Sequence, residues 1–113
     1  MSELQGLQLS IEEFRRRGAR LVAISADPPQ INAELAPAAG LEFPLLSDPD
    51  LVVADAYGLR HREAHDGHDI ALSASVLLDS DGIVRWTHVT PNVRLRPLPS
   101  TILAQIDALG AAP

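Results

Sequence analysis

The densest group of side chains able to bind a metal ion lies in a polar segment in the middle of the chain. Imidazoles and carboxylates alternate there, in the order His61, Glu63, His65, Asp66, His68 and Asp69. Both groups suit a divalent metal, and an i,i+4 spacing would place His61 and His65 on one side of a helix. Gly67 and the polar composition instead indicate a loop over residues 59–69, which would not hold ligands at fixed distances. We therefore assign no metal ligand to this segment.

Other catalytic chemistries lack the residues that they need. The sequence contains no Cys and no Lys, so these residues offer no thiol redox centre, thiolate zinc site, Schiff base or lysine-dependent phosphate loop. No G-x-S-x-G motif supports a hydrolytic serine. The run Arg15-Arg16-Arg17 lies near the end of a predicted helix and is typical of a solvated helix face. No catalytic residue and no cofactor-binding residue is assigned.

Length, charge and hydropathy narrow the class of protein. The chain of 113 residues fits one domain, taken as residues 1–113, and its 46% hydrophobic and 21% charged residues are ordinary for a globular protein. A formal net charge of −6 argues against nucleic acid or an anionic membrane as a partner. No apolar run approaches the ~20 residues of a membrane helix, and the first residues do not resemble a signal peptide. We expect a cytoplasmic protein.

The first half of the chain predicts helices separated by short strands. One apolar helix face is formed by Leu4, Leu7, Ile11 and Phe14. It predicts a helix over residues 3–17, with Ser2 in a capping box and Gly18 at its end. The apolar residues 21–24 then predict a strand buried on both faces, as in a parallel sheet.

Two further helices are indicated by a capping residue followed by proline. Asp27-Pro28-Pro29 predicts a helix that Pro37 either kinks or ends before Gly40. Residues 43–46 predict a short extended piece, and Ser47-Asp48-Pro49 predicts a helix that reaches Gly58.

The second half predicts a hairpin and a final helix. Residues 75–78 and 83–89 read as strands, joined by the turn Asp79-Ser80-Asp81-Gly82. Residues 91–99 are expected to be irregular because of their prolines. Ser100 is predicted to cap a last helix, whose apolar face is formed by Ile102, Leu103, Ile106 and Leu109.

Several short motifs, in consistent order and spacing across nearly the whole chain, support a family resemblance. They are Glu3-Leu4-Gln5-Gly6-Leu7-Gln8, Glu13-Phe14, residues 18–25, Asp27-Pro28-Pro29, residues 43–49, Ala56-Tyr57-Gly58, Leu77-Leu78-Asp79 and residues 81–86. With these motifs the sequence resembles the alkyl hydroperoxide reductase/thiol-specific antioxidant (AhpC/TSA) family, the peroxiredoxin-like branch of the thioredoxin fold. The resemblance implies a thioredoxin-like, three-layer α/β/α fold, truncated before the first helix of its core.

The resemblance also implies thiol-dependent peroxide reduction. In this family the reactive Cys lies in the first turn of the helix that begins here with Ser2-Glu3-Leu4, where backbone amides and the helix dipole stabilise a thiolate. That position would fall just ahead of Met1. We therefore expect the reading frame to continue upstream into a strand of ~5–6 residues and a Cys or selenocysteine. The 113 residues alone would then be an inactive fragment of a larger enzyme.

Two departures from the family pattern leave an alternative open. Where the family often has a Pro before the strand of residues 75–78, this sequence has Ser73-Ala74-Ser75, and the active-site Arg found near that strand has no match. The alternative is a non-catalytic thioredoxin-fold module that binds a partner or dimerises. Without the upstream strand, residues 21–24 and 76–78 would each lose hydrogen bonds on one side. We expect them to pair directly, or to be covered by a second copy or a partner chain.

Overall fold

The computed structural model describes residues 3–65, 67–90 and 97–110. In chain order the elements are α1 (Glu3–Leu9), α2 (Ile11–Arg16), β1 (Ala23–Ser25), α3 (Pro29–Ala38), β2 (Leu45–Ser47), α4 (Val52–Ala56), β3 (Arg60–His65), β4 (His68–Ala71), β5 (Ser73–Leu78), β6 (Val84–Thr90) and α5 (Pro99–Gly110). This mixed order agrees with the predicted α/β class. Residues 91–96, predicted to be irregular, lie outside the described residues.

The first predicted helix is divided in two at Ser10. The backbone of Ser10 has φ −101° and ψ 9°, and its carbonyl accepts the amide of Glu13 at 3.0 Å, which begins α2. Serine favours such a position because its side chain competes for backbone hydrogen bonds and lowers helix propensity. The prediction of one continuous helix over residues 3–17 is therefore wrong. Ser2, the predicted cap of α1, lies outside the described residues.

Several predicted element boundaries shift by a few residues. Strand β1 covers residues 23–25 rather than 21–24. Pro28, not Asp27, is the N-cap residue of α3, and Pro37 stays inside the last turn of that helix. Helix α5 begins at Pro99, so Ser100 lies within its first turn and does not precede it as a cap.

Asn32 holds α3 against the parallel pair β1–β2. Its side chain is 2% exposed, and its Nδ2 donates to Ser25 Oγ at 2.8 Å, Ser47 Oγ at 2.9 Å and the carbonyl of Leu46 at 3.2 Å. Ser25 and Ser47 face each other in the β1–β2 register. One amide group therefore ties the helix to the carboxyl ends of both strands.

Helix α4 begins later than predicted, and the side chain of Asp48, three residues before its N-cap residue Leu51, accepts amides of its first turn. The residue before it, Leu51, has φ 56° in the left-handed region, a conformation that is costly for a leucine. The buried carboxylate of Asp48 accepts the amides of Ala54 at 2.9 Å and Val53 at 3.2 Å. These hydrogen bonds, Ala54 first, hold the pKa of Asp48 below its usual value. The predicted helix start at Ser47-Asp48-Pro49 is therefore wrong, since the N-cap residue is Leu51, although Asp48 still accepts two amides of the first turn.

Two antiparallel hairpins form the second half of the chain. The predicted loop over residues 59–69 is wrong, since β3 and β4 pair there, with His61 opposite Ile70 and a register shift before His65. The predicted hairpin of β5 and β6 is confirmed. In its turn, Asp79 Oδ1 accepts the amides of Asp81 and Ile83, and Asp79 Oδ2 accepts Arg85 Nε at 2.7 Å.

Two long-range hydrogen bonds connect segments that are far apart in the sequence. Arg17, just after α2, donates its Nε to Asp107 Oδ1 of α5 at 2.7 Å. Gln8 of α1 accepts the amide of Glu42, shortly before β2, at 2.8 Å. The prediction of a solvated helix face for residues 15–17 therefore does not describe Arg17, whose guanidinium binds Asp107. The buried apolar side chains of the described residues are few, namely Phe14, Phe43, Leu51 and Ala54.

We predict that Asn32→Ala destabilises the fold by about 1–3 kcal/mol, because it removes the donor of hydrogen bonds to part-buried oxygen atoms of β1 and β2. Gln30→Ala, on the exposed face of α3, is the control and is expected to change stability by less than about 0.5 kcal/mol. Urea unfolding followed by circular dichroism measures both. Equal midpoints for the two variants would contradict the role of Asn32.

The lowered pKa of Asp48 predicts an acid-sensitive stability. Because its pKa is lower in the folded than in the unfolded protein, the contribution of Asp48 is complete above its unfolded pKa of about 4. It is lost as the pH falls through the folded pKa. Asp48→Asn is therefore expected to be less stable than the parent at pH 7, with a difference that shrinks towards pH 2. Urea midpoints across this pH range test this, with exposed Asp50→Asn as control. A pH-independent difference would contradict it.

Candidate functional site

The strands form three separate two-stranded sheets. β1 pairs with β2 in parallel, while β3–β4 and β5–β6 are antiparallel. Within the described residues, no ladder of backbone hydrogen bonds connects one of these sheets to another. β1 and β5 therefore each have a strand neighbour on one side alone.

Direct pairing of residues 21–24 with residues 76–78, one of the two predicted outcomes, does not occur in the part of the chain that the structure describes. The expectation that the first strand is buried on both faces is also wrong. Val22 is 56% exposed and Ile24 is 48% exposed. A strand becomes buried on both faces only when it has neighbours at both edges and layers above and below it. The family resemblance implies an upstream strand that pairs with both β1 and β5. We call the position beside their unpaired edges the strand gap and take it as the candidate functional site.

The start of β5 differs from the family pattern in its sequence, which is Ser73-Ala74-Ser75. Ser73 and Ser75 are half-buried and alternate with the exposed Ala74. No peptide bond among the described residues is cis. The strand therefore enters the sheet through ordinary trans peptides at the position where the resemblance implies a proline.

The histidine-rich segment is part of a hairpin. His61 and His65 lie on β3, whereas His68 and Asp69 lie on β4. On an extended strand, four residues span about 13 Å, so the helical i,i+4 argument for a shared metal ion does not apply to His61 and His65. Among the described residues, no three histidine or acidic side chains are grouped closely enough to hold a metal. Asp66 lies outside the described residues.

Arg60 joins this hairpin to the loop before α4. Its Nη1 donates to Asp69 Oδ2 at 2.8 Å, and its Nη2 donates to the carbonyls of Asp50 at 3.0 Å and Leu51 at 3.3 Å. The hydrogen bond with Asp69 raises the pKa of Arg60 most, and Asp55 adds to this effect. The guanidinium thus stays charged and fixes the base of the hairpin beside the strained Leu51.

Neither Arg60 nor Asn32 was singled out in the sequence. The sequence does contain an indication that Asn32 is buried, because this polar residue lies between the apolar Ile31 and Ala33 in the predicted helix. For Arg60 the signal was weak, since its partners are spread over Asp50, Asp55 and Asp69. Only a correct hairpin prediction would have brought Asp69 next to it.

Comparison with known families identifies the chain. A model of the AhpC/TSA family matches residues 1–87, which is most of the sequence. The chain belongs to the AhpC/TSA family. In Mycobacterium tuberculosis, a protein whose name places it among the peroxiredoxins is 35% identical over 75 residues, 65% of this chain and 48% of the relative. Peroxiredoxin-4 of Dictyostelium discoideum is 34% identical over 98 residues, 80% of this chain and 36% of the relative. The chain thus spans half or less of these relatives.

Solved structures agree with this family at the level of fold. Peroxiredoxin Q of Xanthomonas campestris superposes with a TM-score of 0.82 at 21% identity, covering 95% of this chain and 68% of that one. A reduced peroxiredoxin of Vibrio vulnificus in complex with hydrogen peroxide has a TM-score of 0.82 at 20% identity, with 96% and 69% covered. The thioredoxin-like α/β fold implied by the resemblance is confirmed. No helix among the described residues is long and apolar enough to span a membrane.

We predict that replacing His61, His65 and His68 together by Ala leaves both folding and metal content unchanged. His61 and His68 are exposed, and surface substitutions usually change stability by less than about 0.5 kcal/mol. Thermal unfolding and elemental analysis of the purified protein test this. Stoichiometric zinc or iron that disappears in the triple variant would contradict the prediction.

Proposed function

We propose that this chain is part of a cytoplasmic peroxiredoxin that reduces peroxides as an antioxidant, with its redox residue supplied from outside these 113 residues. The observation that carries the proposal is the AhpC/TSA family match over residues 1–87. The peroxiredoxin names of its relatives support it. Because the sequence contains no Cys, a thiolate or selenolate has to come from another segment if the chain is to take part in this reaction.

The proposed chemistry is that of the family. A thiolate attacks one peroxide oxygen, so an S–O bond forms while the O–O bond breaks, and the leaving oxygen takes a proton to become an alcohol or water. The resulting sulfenic acid condenses with a second thiol to a disulfide and releases water. An external thiol reductant then restores both thiols. The residues of this chain contribute the fold that positions the reacting group.

The strand gap supports a segment from outside the described residues. Among the described residues, β1 and β5 each have one edge without a neighbouring strand, and such an edge presents unpaired amides and carbonyls with which another strand can pair. A strand inserted between them would satisfy both edges and cover Ile24, now 48% exposed. We propose that such a strand completes the sheet and leads into the redox residue near α1.

A non-catalytic binding module is the second candidate. The observation that favours it is the start of β5, where Ser73-Ala74-Ser75 stands where the family often has a proline. In this case the strand gap would accept a second copy or a partner strand, without peroxide chemistry.

The proposal makes predictions about the full gene product purified from its host organism. We expect a product tagged at the C-terminal end of the reading frame to exceed the 12.1 kDa of these 113 residues, after allowance for the tag. We also expect it to reduce hydrogen peroxide with dithiothreitol, and alkylation with iodoacetamide to abolish the turnover. Intact mass spectrometry and a peroxide assay measure these properties.

The purified 113-residue chain is the control, and we expect no turnover from it. A host product with the mass of these residues and no peroxidase activity would favour the binding module. Turnover by the 113-residue chain itself would show that the reaction needs no thiol, which contradicts the proposed chemistry.

A further inference from the structure

A cleft lies between the β5–β6 hairpin and helix α5. Leu77 and Trp86 line it from the hairpin, and Gln105, Ala108 and Leu109 line it from the helix. The three helical positions have i, i+3 and i+4 spacing, which puts them on one face of α5. The cleft has a volume of about 190 Å³. Because an apolar cavity of about 150 Å³ binds benzene, an apolar group of the size of one ring fits here.

A β-bulge places a positive charge at this cleft. In the β5–β6 register Trp86 and Val84 have partners on β5, whereas Arg85 between them is the extra residue of the bulge. Side chains of a regular strand alternate between its two faces, and a bulge breaks this alternation and redirects a side chain. Arg85 and Trp86 are adjacent in the sequence, yet both line the cleft.

One edge of the Arg85 guanidinium is held in place and the other is available. Nε donates to Asp79 Oδ2 at 2.7 Å, while Asp79 Oδ1 accepts the amides of Asp81 and Ile83. The amide of Ile83, followed by Arg85, lowers the pKa of Asp79, so this carboxylate stays ionised. Among the described residues, Nη1 and Nη2 of Arg85 have no hydrogen-bond partner. These two donors match the two oxygen atoms of a carboxylate.

The charges around the cleft favour a ligand with a single negative charge. The chain has a net charge of −6, so an anion needs a local cation, and Arg85 is the only cationic side chain among the described residues that line the cleft. The ionised Asp79 beside it repels a second negative charge, such as a phosphate dianion would bring. Gln105 adds an amide that can donate a hydrogen bond. A mostly apolar lining with a few polar groups is typical of small-molecule sites.

We propose that this cleft binds a small monocarboxylate whose apolar body has the size of one ring. Nη1 and Nη2 of Arg85 donate to the carboxylate, and the apolar body lies against Trp86 and Leu109. Binding at this cleft does not depend on the proposed peroxide chemistry, because every contacting group lies within the described residues.

Trp86 reports on the cleft directly because it is the only tryptophan of the chain. Its indole N–H gives a single signal in a proton–nitrogen correlation spectrum, and benzoate is titrated into the labelled 113-residue chain at constant ionic strength. We expect this signal to shift and to saturate with a Kd on the order of 1 mM, as suits a ligand of few atoms. Benzamide has the same ring without the charge, and we expect it to bind about tenfold more weakly or worse, because charge-assisted hydrogen bonds are the stronger ones.

Three substitutions separate the cleft from general effects of charge. Arg85→Gln removes the cation and is expected to weaken benzoate binding about tenfold or more. Arg16→Gln removes an exposed guanidinium of α2 that is likewise paired with a carboxylate, and this control is expected to bind benzoate normally. Ala108→Phe fills the cleft while leaving Arg85 and Asp79 unchanged, and it is expected to abolish the shift.

An indole signal that does not move would overturn the inference, as would equal affinities for benzoate and benzamide. Equal losses in Arg85→Gln and Arg16→Gln would also overturn it, since they would indicate a general attraction to positive charge. Retained binding in Ala108→Phe would place the ligand elsewhere and overturn it too. If the amide spectrum shows that Arg85→Gln is unfolded, the comparison with benzamide and the result for Ala108→Phe decide the outcome.

Discussion

A strand inside a sheet needs a backbone partner on each side, and this requirement governs the arrangement of the whole chain. In β1 and β5 the described residues meet the requirement at one edge. The exposure of Val22 and Ile24 and the division of the described strands into three sheets accompany these unpaired edges. Side chains that a continuous sheet would bury on both faces instead remain in partial contact with water.

Where the sheet ladder is interrupted, polar side chains hold the elements together. Asn32 ties α3 to two strands, Asp48 caps α4, and Arg60 connects the β3–β4 hairpin to the loop at Leu51. Arg17 links the beginning of the chain to Asp107 near its end. These hydrogen bonds satisfy polar groups that would otherwise be costly to bury.

The sequence predicted the type of most elements because their signals are local. The turn at Asp79 and the apolar alternation around it identify the β5–β6 hairpin, and proline marks the start of α3. The β3–β4 hairpin was missed because its residues are polar on both sides, and a strand without an apolar face has no periodic hydrophobic pattern. The break at Ser10 was missed because the apolar spacing of Ile11 and Phe14 continues across it. The strand gap depends on pairing between distant segments, and the sequence predicted it only through the family resemblance.

The three separate sheets have a consequence for folding. The β3–β4 and β5–β6 hairpins each close a short loop and are expected to form quickly, whereas the parallel β1–β2 pair first needs the crossover through α3. Because no backbone hydrogen bonds connect the three sheets among the described residues, each sheet is expected to open as a separate cooperative unit. The hydrogen bond of Arg17 with Asp107 joins residues 90 positions apart, so we expect it to form after these local pairings.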